Sequence, residues 1–213
     1  MAKFTPRRVP FGRPPTAGED DDIGEGLPTP KLLKLKARRV AGIAEAKQVL
    51  SVLPAPGESL HALVTHRVDL TDILTALLGR LGRCDRMLIA TLGYGERNLR
   101  QLLGWFDGGA VGELTLLTSI FFRSHNGSLW ERTVEEFRER KQRCACMHSH
   151  AKVVTMAMAS GERFAVEGSA NLRGSGSSRE QVAVIHDPGL HDWHARWIAE
   201  TVSKHEPGDE GTG

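Results

Sequence analysis

Apolar positions recur at helical spacing at Leu70, Ile73, Leu74, Leu77, Leu78 and Leu81, with Asp69 or Thr71 placed to cap the start. Met87–Leu92 is a short apolar run bounded by charge and glycine, which predicts a buried strand. Glu96–Phe106 returns to helical spacing, with Leu99, Leu102, Leu103 and Phe106 on one face. A second strand is expected over Glu113–Phe122 and a second crossover helix over Ser128–Arg140. Arg143–Met158 reads as one long extended segment, and a turn at Ser160–Arg163 leads into a strand over Phe164–Ser169. The last strand is Gln181–His186. Asp187-Pro188 then opens a final helix, with Leu190, Trp193, Trp197 and Ile198 as its buried face. Strand–helix alternation of this kind predicts an α/β domain: a mixed β-sheet flanked by helices.

The flanks differ. Residues 1–30 are rich in Pro and Gly, carry the acidic run Glu19–Asp22 and have no apolar period, so they read as a disordered tail. Residues 31–56 read as a basic helical segment and linker, ending at Pro54-Ala-Pro-Gly57. Within it Val40, Ile43 and Leu50 could form a packing stripe, and a helix solvated on its other side is an equal reading. The folded domain is expected over 57–205, with a second disordered tail at 206–213.

Composition narrows the function class. Of 213 residues, 40% are hydrophobic and 25% charged, which is ordinary for a globular chain. No run of about 18 apolar residues exists, so no membrane span is expected. Met1–Arg13 has charge without an apolar stretch, so no secretory leader is expected either. Three cysteines, Cys84, Cys144 and Cys146, cannot form a paired framework and point to a reducing, cytoplasmic setting. The net charge of +2 is uneven. Lys31, Lys34, Lys36, Arg38, Arg39 and Lys47 face only Glu45 within residues 31–50, a local excess that suits a nucleic-acid or other anionic partner.

The chemistry concentrates in His148-Ser-His150-Ala-Lys152, then Glu167-Gly168-Ser169-Ala170-Asn171, then Arg179-Glu180-Gln181. On a strand, side chains at i and i+2 share a face, which would pair His150 with Lys152 and Ser169 with Asn171. Gly168 would let a substrate or a backbone come close. An imidazole, an ammonium, a hydroxyl and an amide on one face can bind and attack a phosphoryl group.

Here the chain resembles the phospholipase D superfamily, in which His-x-Lys is followed by Gly-Ser-x-Asn and then by a carboxylate opening an apolar strand. The resemblance spans roughly residues 60–200, with the motif over about 150–186. The element order resembles the small single-motif nucleases, and Gly-Ser-Ala-Asn-Leu-Arg followed by Glu-Gln resembles a phage or prophage branch. The chain departs from the family pattern at Ala157, where the family carries an Asp that supports the hairpin.

The resemblance implies a phosphodiesterase that needs neither metal nor cofactor. His150 would attack phosphorus and form a phosphohistidine, with Glu180 fixing the tautomer of its second nitrogen. Lys152 and Asn171 would hold the non-bridging oxygens, and Ser169 would donate a further hydrogen bond. Gly168, His148 and Arg173 would line the substrate. The family builds its site from two motifs, and this chain has one: none of its other histidines is followed by Lys at i+2. The second half would come from a second copy, as a homodimer with two His150 residues facing each other, one as nucleophile and one as general acid.

Cys144, Cys146, His148 and His150 alternate and resemble a metal set on paper. A straight strand would spread them over roughly 20 Å, too far to converge on one zinc ion. Tyr94 and Ser119 fall near strand ends but read as ordinary loop and strand residues. Three functions stay open: a nuclease, with DNA favoured over RNA; a lipid phosphodiesterase; and a non-catalytic nucleic-acid-binding or phage-associated protein, for which Ala157 leaves room.

Overall fold

The computed structural model describes residues 31–32, 35–36, 46–47, 50–64, 68–172 and 179–207. Two short strands, β1 (Lys31–Leu32) and β2 (Leu35–Lys36), pair antiparallel where the basic helix was expected to begin. Lys31 and Lys34, and Lys34 and Arg38, would set like charges one helical turn apart, which weakens a helix. Ala46–Lys47 is helical, Leu50 of the expected stripe is buried with its amide donating to the Ala46 carbonyl at 3.0 Å, and residues 33–34, 37–45 and 48–49, like the tail over 1–30, lie outside the described residues.

The main sheet has seven strands. β3 is Ser59–Val64, β4 Cys84–Ala90, β5 Val111–Ser119, β6 Arg143–Met147, β7 Val153–Met158, β8 Arg163–Gly168 and β9 Glu180–Ile185. The helices are α1 (Leu70–Leu81), α2 (Glu96–Asp107), α3 (Ile120–His125), α4 (Gly127–Glu139) and α5 (Pro188–His205). Across the sheet the order is β3-β9-β8-β7-β4-β5-β6. Strands β4, β5 and β6 run parallel, and every other neighbouring pair is antiparallel. The mixed sheet flanked by helices is the expected fold class.

Alternating side chains of the central strands feed two cores. Met87 and Ile89 of β4 join the α1, α2 and α4 side with Leu74, Leu77, Leu99 and Phe137. Leu88 and Ala90 turn to the other side, where α5 covers them with Ala195, Ile198 and Val202. Burial on both faces explains why Met87–Ala90 is a continuous apolar run and not an alternating one. Asp69 caps α1 by accepting from the Asp72 amide at 3.0 Å, and Asp187 caps α5 by accepting from the Leu190 amide at 2.7 Å.

Four expectations change. Glu113–Phe122 is not all strand, because the Ser119 hydroxyl caps a new helix by accepting from the Phe121 amide at 3.1 Å. The edge strand β3 is additional; its pattern alternates, with Leu60, Ala62 and Val64 buried. Trp193 is 60% exposed; α5 buries Ile198 as expected, but with His191, His194, Ala195 and Val202 as its companions. Glu206 is not a free tail: it pairs with Arg143 at 2.5 Å, while residues 208–213 lie outside the described residues.

Candidate active site

The topology gathers one end of the sheet. Strands β4, β5, β6 and β8 finish there, and β7 and β9 begin there. A row of partners, Ala90, Val153, Glu167 and Ala183, crosses β4, β7, β8 and β9 in register. His150 and Lys152 lie in the chain that leads into β7, Ser169 directly follows the end of β8, and Glu180 opens β9. Neighbouring strands are about 4.8 Å apart, so three chain segments meet within two strand spacings.

His150 and Lys152 do not stand on a strand. The extended segment expected over Arg143–Met158 breaks at 148–152, because β6 is an edge strand beside β5 while β7 lies between β4 and β8. The chain must cross over β5 and β4 at this end of the sheet, and the crossing is the His-x-Lys loop itself. His150 is exposed, and its ring hydrogen-bonds to no other described residue. Lys152, half-buried, donates from Nζ to the His150 carbonyl at 3.0 Å. The Ser149 hydroxyl accepts from the Ala151 amide at 3.1 Å and tightens the turn. His148 is exposed at the start of the loop.

Ser169 ties β8 to β9. Its amide donates to the Gln181 carbonyl at 3.0 Å, and its hydroxyl accepts from the Gln181 amide at 2.9 Å. The same hydroxyl donates to Glu180. Glu180 is therefore engaged by Ser169, and not by the His150 ring it was expected to orient. Gly168 sits against the β9 backbone: a Cβ there would meet the Gln181 carbonyl oxygen at 2.0 Å. The close approach that this glycine permits is made by the protein's own chain.

Asn171 is half-buried, and its side-chain oxygen is buried without a partner. Its carbonyl accepts from the Leu70 amide at 3.3 Å. Leu172 is fully buried; its carbonyl accepts from Asn98 Nδ2 at 3.0 Å. Arg173 lies outside the described residues.

Two supports under this end of the sheet are not evident in the motif. Asn98 also donates to Asp69 and Thr71, and Arg97 bridges Asp72 at 2.8 Å, so the loop after Ser169 is pinned to the starts of α1 and α2. Burial and the charge of Asp69 push the Asp72 carboxyl above its ordinary value, against the pull of Arg97. On the opposite face, Trp197 Nε1 donates to His194 Nδ1 at 2.9 Å. His194 Nε2 therefore carries the proton and donates to Glu167, the residue before Gly168. The spacing of His194 and Trp197, one turn apart on a helix, is the sequence signal for this pair.

Other candidates resolve into structural roles. Tyr94 is buried and donates to Thr133 Oγ1 at 2.7 Å. Burial pushes the Cys84 and Cys144 thiols up to about 12, which leaves them unreactive. Cys144 and Cys146 lie on β6 and the two histidines on the loop beyond it; among the described residues no three His, Cys, Asp or Glu side chains gather as metal ligands. Ala157 faces α5, with Arg86 of β4 and Arg163 of β8 as its cross-strand partners.

No family model matches the sequence, and no curated protein matches it. Solved structures do share its fold. Polyphosphate kinase from Porphyromonas gingivalis aligns at a TM-score of 0.51 and 12% identity, over 78% of this chain and 30% of that one. NucT from Helicobacter pylori aligns at 0.49 and 13%, over 71% and 99%. Nuc from Salmonella typhimurium, a phospholipase D family member, aligns at 0.48 and 11%, over 70% and 97%. Identities this low speak to the fold alone. No helix among the described residues is long and apolar enough to cross a membrane.

Proposed function

We propose that this chain is a metal-independent phosphodiesterase of phospholipase D type, acting as a nuclease with DNA favoured over RNA. One observation supports the reading: three segments distant in sequence, 148–152, 169–171 and 180–181, reach the same end of the sheet, where His150 is exposed.

In this reading the neutral His150 ring attacks phosphorus, forming a P–N bond as the P–O bond to the leaving group breaks. The leaving alkoxide takes a proton from His150 of a second copy, which acts as general acid. That second imidazole, now neutral, takes a proton from water; the hydroxide breaks the P–N bond and releases a phosphomonoester. Lys152, Ser169 and Asn171 stabilise the charge that grows on the non-bridging oxygens. Glu180 fixes the His150 tautomer after exchanging its bond to Ser169, whose hydroxyl then turns to the phosphate. The homodimer follows from the single motif.

Ala157 favours a second reading, a non-catalytic nucleic-acid-binding protein on the same fold. Cleavage of plasmid and single-stranded DNA in EDTA, compared with His150→Ala, separates the two. The nuclease reading expects cutting by the unaltered chain and none by the variant.

A further inference from the structure

Helix α3 rises from the same end of the sheet as the His-x-Lys loop. Ser119, its cap, is the register partner of Met147, the residue before His148. β5 stands two strands from β7, a lateral distance of about 10 Å. The helix carries Phe121 outward, 60% exposed, although a ring of this size is ordinarily buried. The ring stacks on His125, with centroids 4.2 Å apart and planes 37° apart.

The backbone beneath it is fixed. The Phe121 amide donates to Ser119 Oγ at 3.1 Å, and its carbonyl accepts from Ser124 Oγ at 2.9 Å and from His125 Nδ1 at 2.8 Å. Arg123 is exposed on the same helix, its guanidinium 3.8 Å from Cys146 Sγ. Neither Ile120–His125 nor His148–Lys152 contains a carboxylate, while together they hold Arg123, Lys152 and three imidazoles. Glu131 and Glu135 line the groove on the other side of Arg123, so the basic ground lies between this helix and the His-x-Lys loop. An aromatic face presented to water beside that ground matches a polyanion whose own rings are free to stack.

We propose that the Phe121–His125 pair is a stacking platform for an unpaired base of the strand being cut. This rests on the phosphodiesterase reading and narrows its substrate to unpaired nucleic acid. A base within a duplex already has neighbours on both faces; only an unstacked base can take the ring. Arg123 would meet the adjoining phosphate.

The test is binding without turnover, in the His150→Ala background. Anisotropy is measured with a labelled oligothymidine and with an abasic oligomer of the same length. Phe121→Ala is expected to weaken oligothymidine binding about tenfold, leave the abasic oligomer unchanged, and be rescued by Phe121→Trp. Equal affinity of Phe121→Ala for oligothymidine, or an equal loss on both oligomers, overturns the platform. Dissociation of a dimer by Phe121→Ala in sedimentation also overturns it, because the ring would then be an interface between copies. The two readings fail separately. If the unaltered chain cuts no DNA but the base-dependent binding holds, the phosphodiesterase reading falls and the platform stands; if it cuts and Phe121 is indifferent, only the platform falls.

Discussion

A Cβ on Gly168 would lie 2.0 Å from the carbonyl oxygen of Gln181, so β8 and β9 meet here at a separation that no other residue permits. Gly168→Ala must push the two backbones apart just where Ser169 and Glu180 are linked. Overpacking of this kind costs about 1–3 kcal/mol. The expected result is a lower Tm together with a fall in phosphodiesterase activity; thermal unfolding and a cleavage assay on the same sample check both.

Ser169→Ala removes the hydroxyl that accepts from the Gln181 amide and donates to Glu180. The site is exposed, so water can replace both bonds, and the expected stability loss is at most about 1 kcal/mol. Loss of one donor to a developing charge costs more in rate, about a hundredfold to a thousandfold in kcat. A variant that keeps full kcat would assign Ser169 to strand pairing alone.

His191 is 4% exposed; its Nδ1–H donates to Asp192 at 2.8 Å, while its Nε2 is buried without a partner. Burial lowers its pKa below 6.5, with the positive charges of Arg163 and Arg86 adding to the effect and Asp192 opposing it. The unfolded chain thus takes up a proton near 6.5 that the folded chain refuses. This contribution is fully present above that pH and is lost as pH falls through 6.5 toward the folded value. Tm should decline over this window, and His191→Gln should decline less steeply. Parallel Tm–pH curves for the two proteins would remove His191 from the account.

Ala157→Asp would place a carboxylate between Arg86 and Arg163, its cross-strand partners on a half-buried face. Arg163 already holds Asp192 at 2.5 Å, so the position has cations to share. The expected gain is up to about 1 kcal/mol at low ionic strength, shrinking with salt. A Tm below that of the unaltered chain in low salt would contradict this.

Much of the architecture was legible because burial leaves a period. The α1 stripe from Leu70 to Leu81, the Asp69 and Asp187 caps and the two-sided run at Met87–Ala90 follow from spacing alone. The break at 148–152 was not, because apolar residues on both sides of it suit an extended chain, and only the strand order forces the crossing. The Ser119 cap was hidden by Ile120-Phe-Phe122, which reads as strand until the serine turns the chain. The site motif was legible as residue types; its supports were not. Asn98 and Leu172, like Glu167 and His194, meet only through tertiary structure.

In the proposed mechanism the exposed His150 ring attacks phosphorus without a metal. Plasmid and single-stranded DNA are incubated in EDTA with the unaltered chain and with His150→Ala, and protein from the first reaction is quenched in alkaline denaturant, digested and examined by mass spectrometry. Cleavage by the unaltered chain, none by the variant, and a DNA phosphoramidate adduct, stable in alkali and labile in acid, that maps to His150 are expected. Cleavage that survives His150→Ala, or equal DNA binding by both proteins with no cleavage by either, would contradict the mechanism.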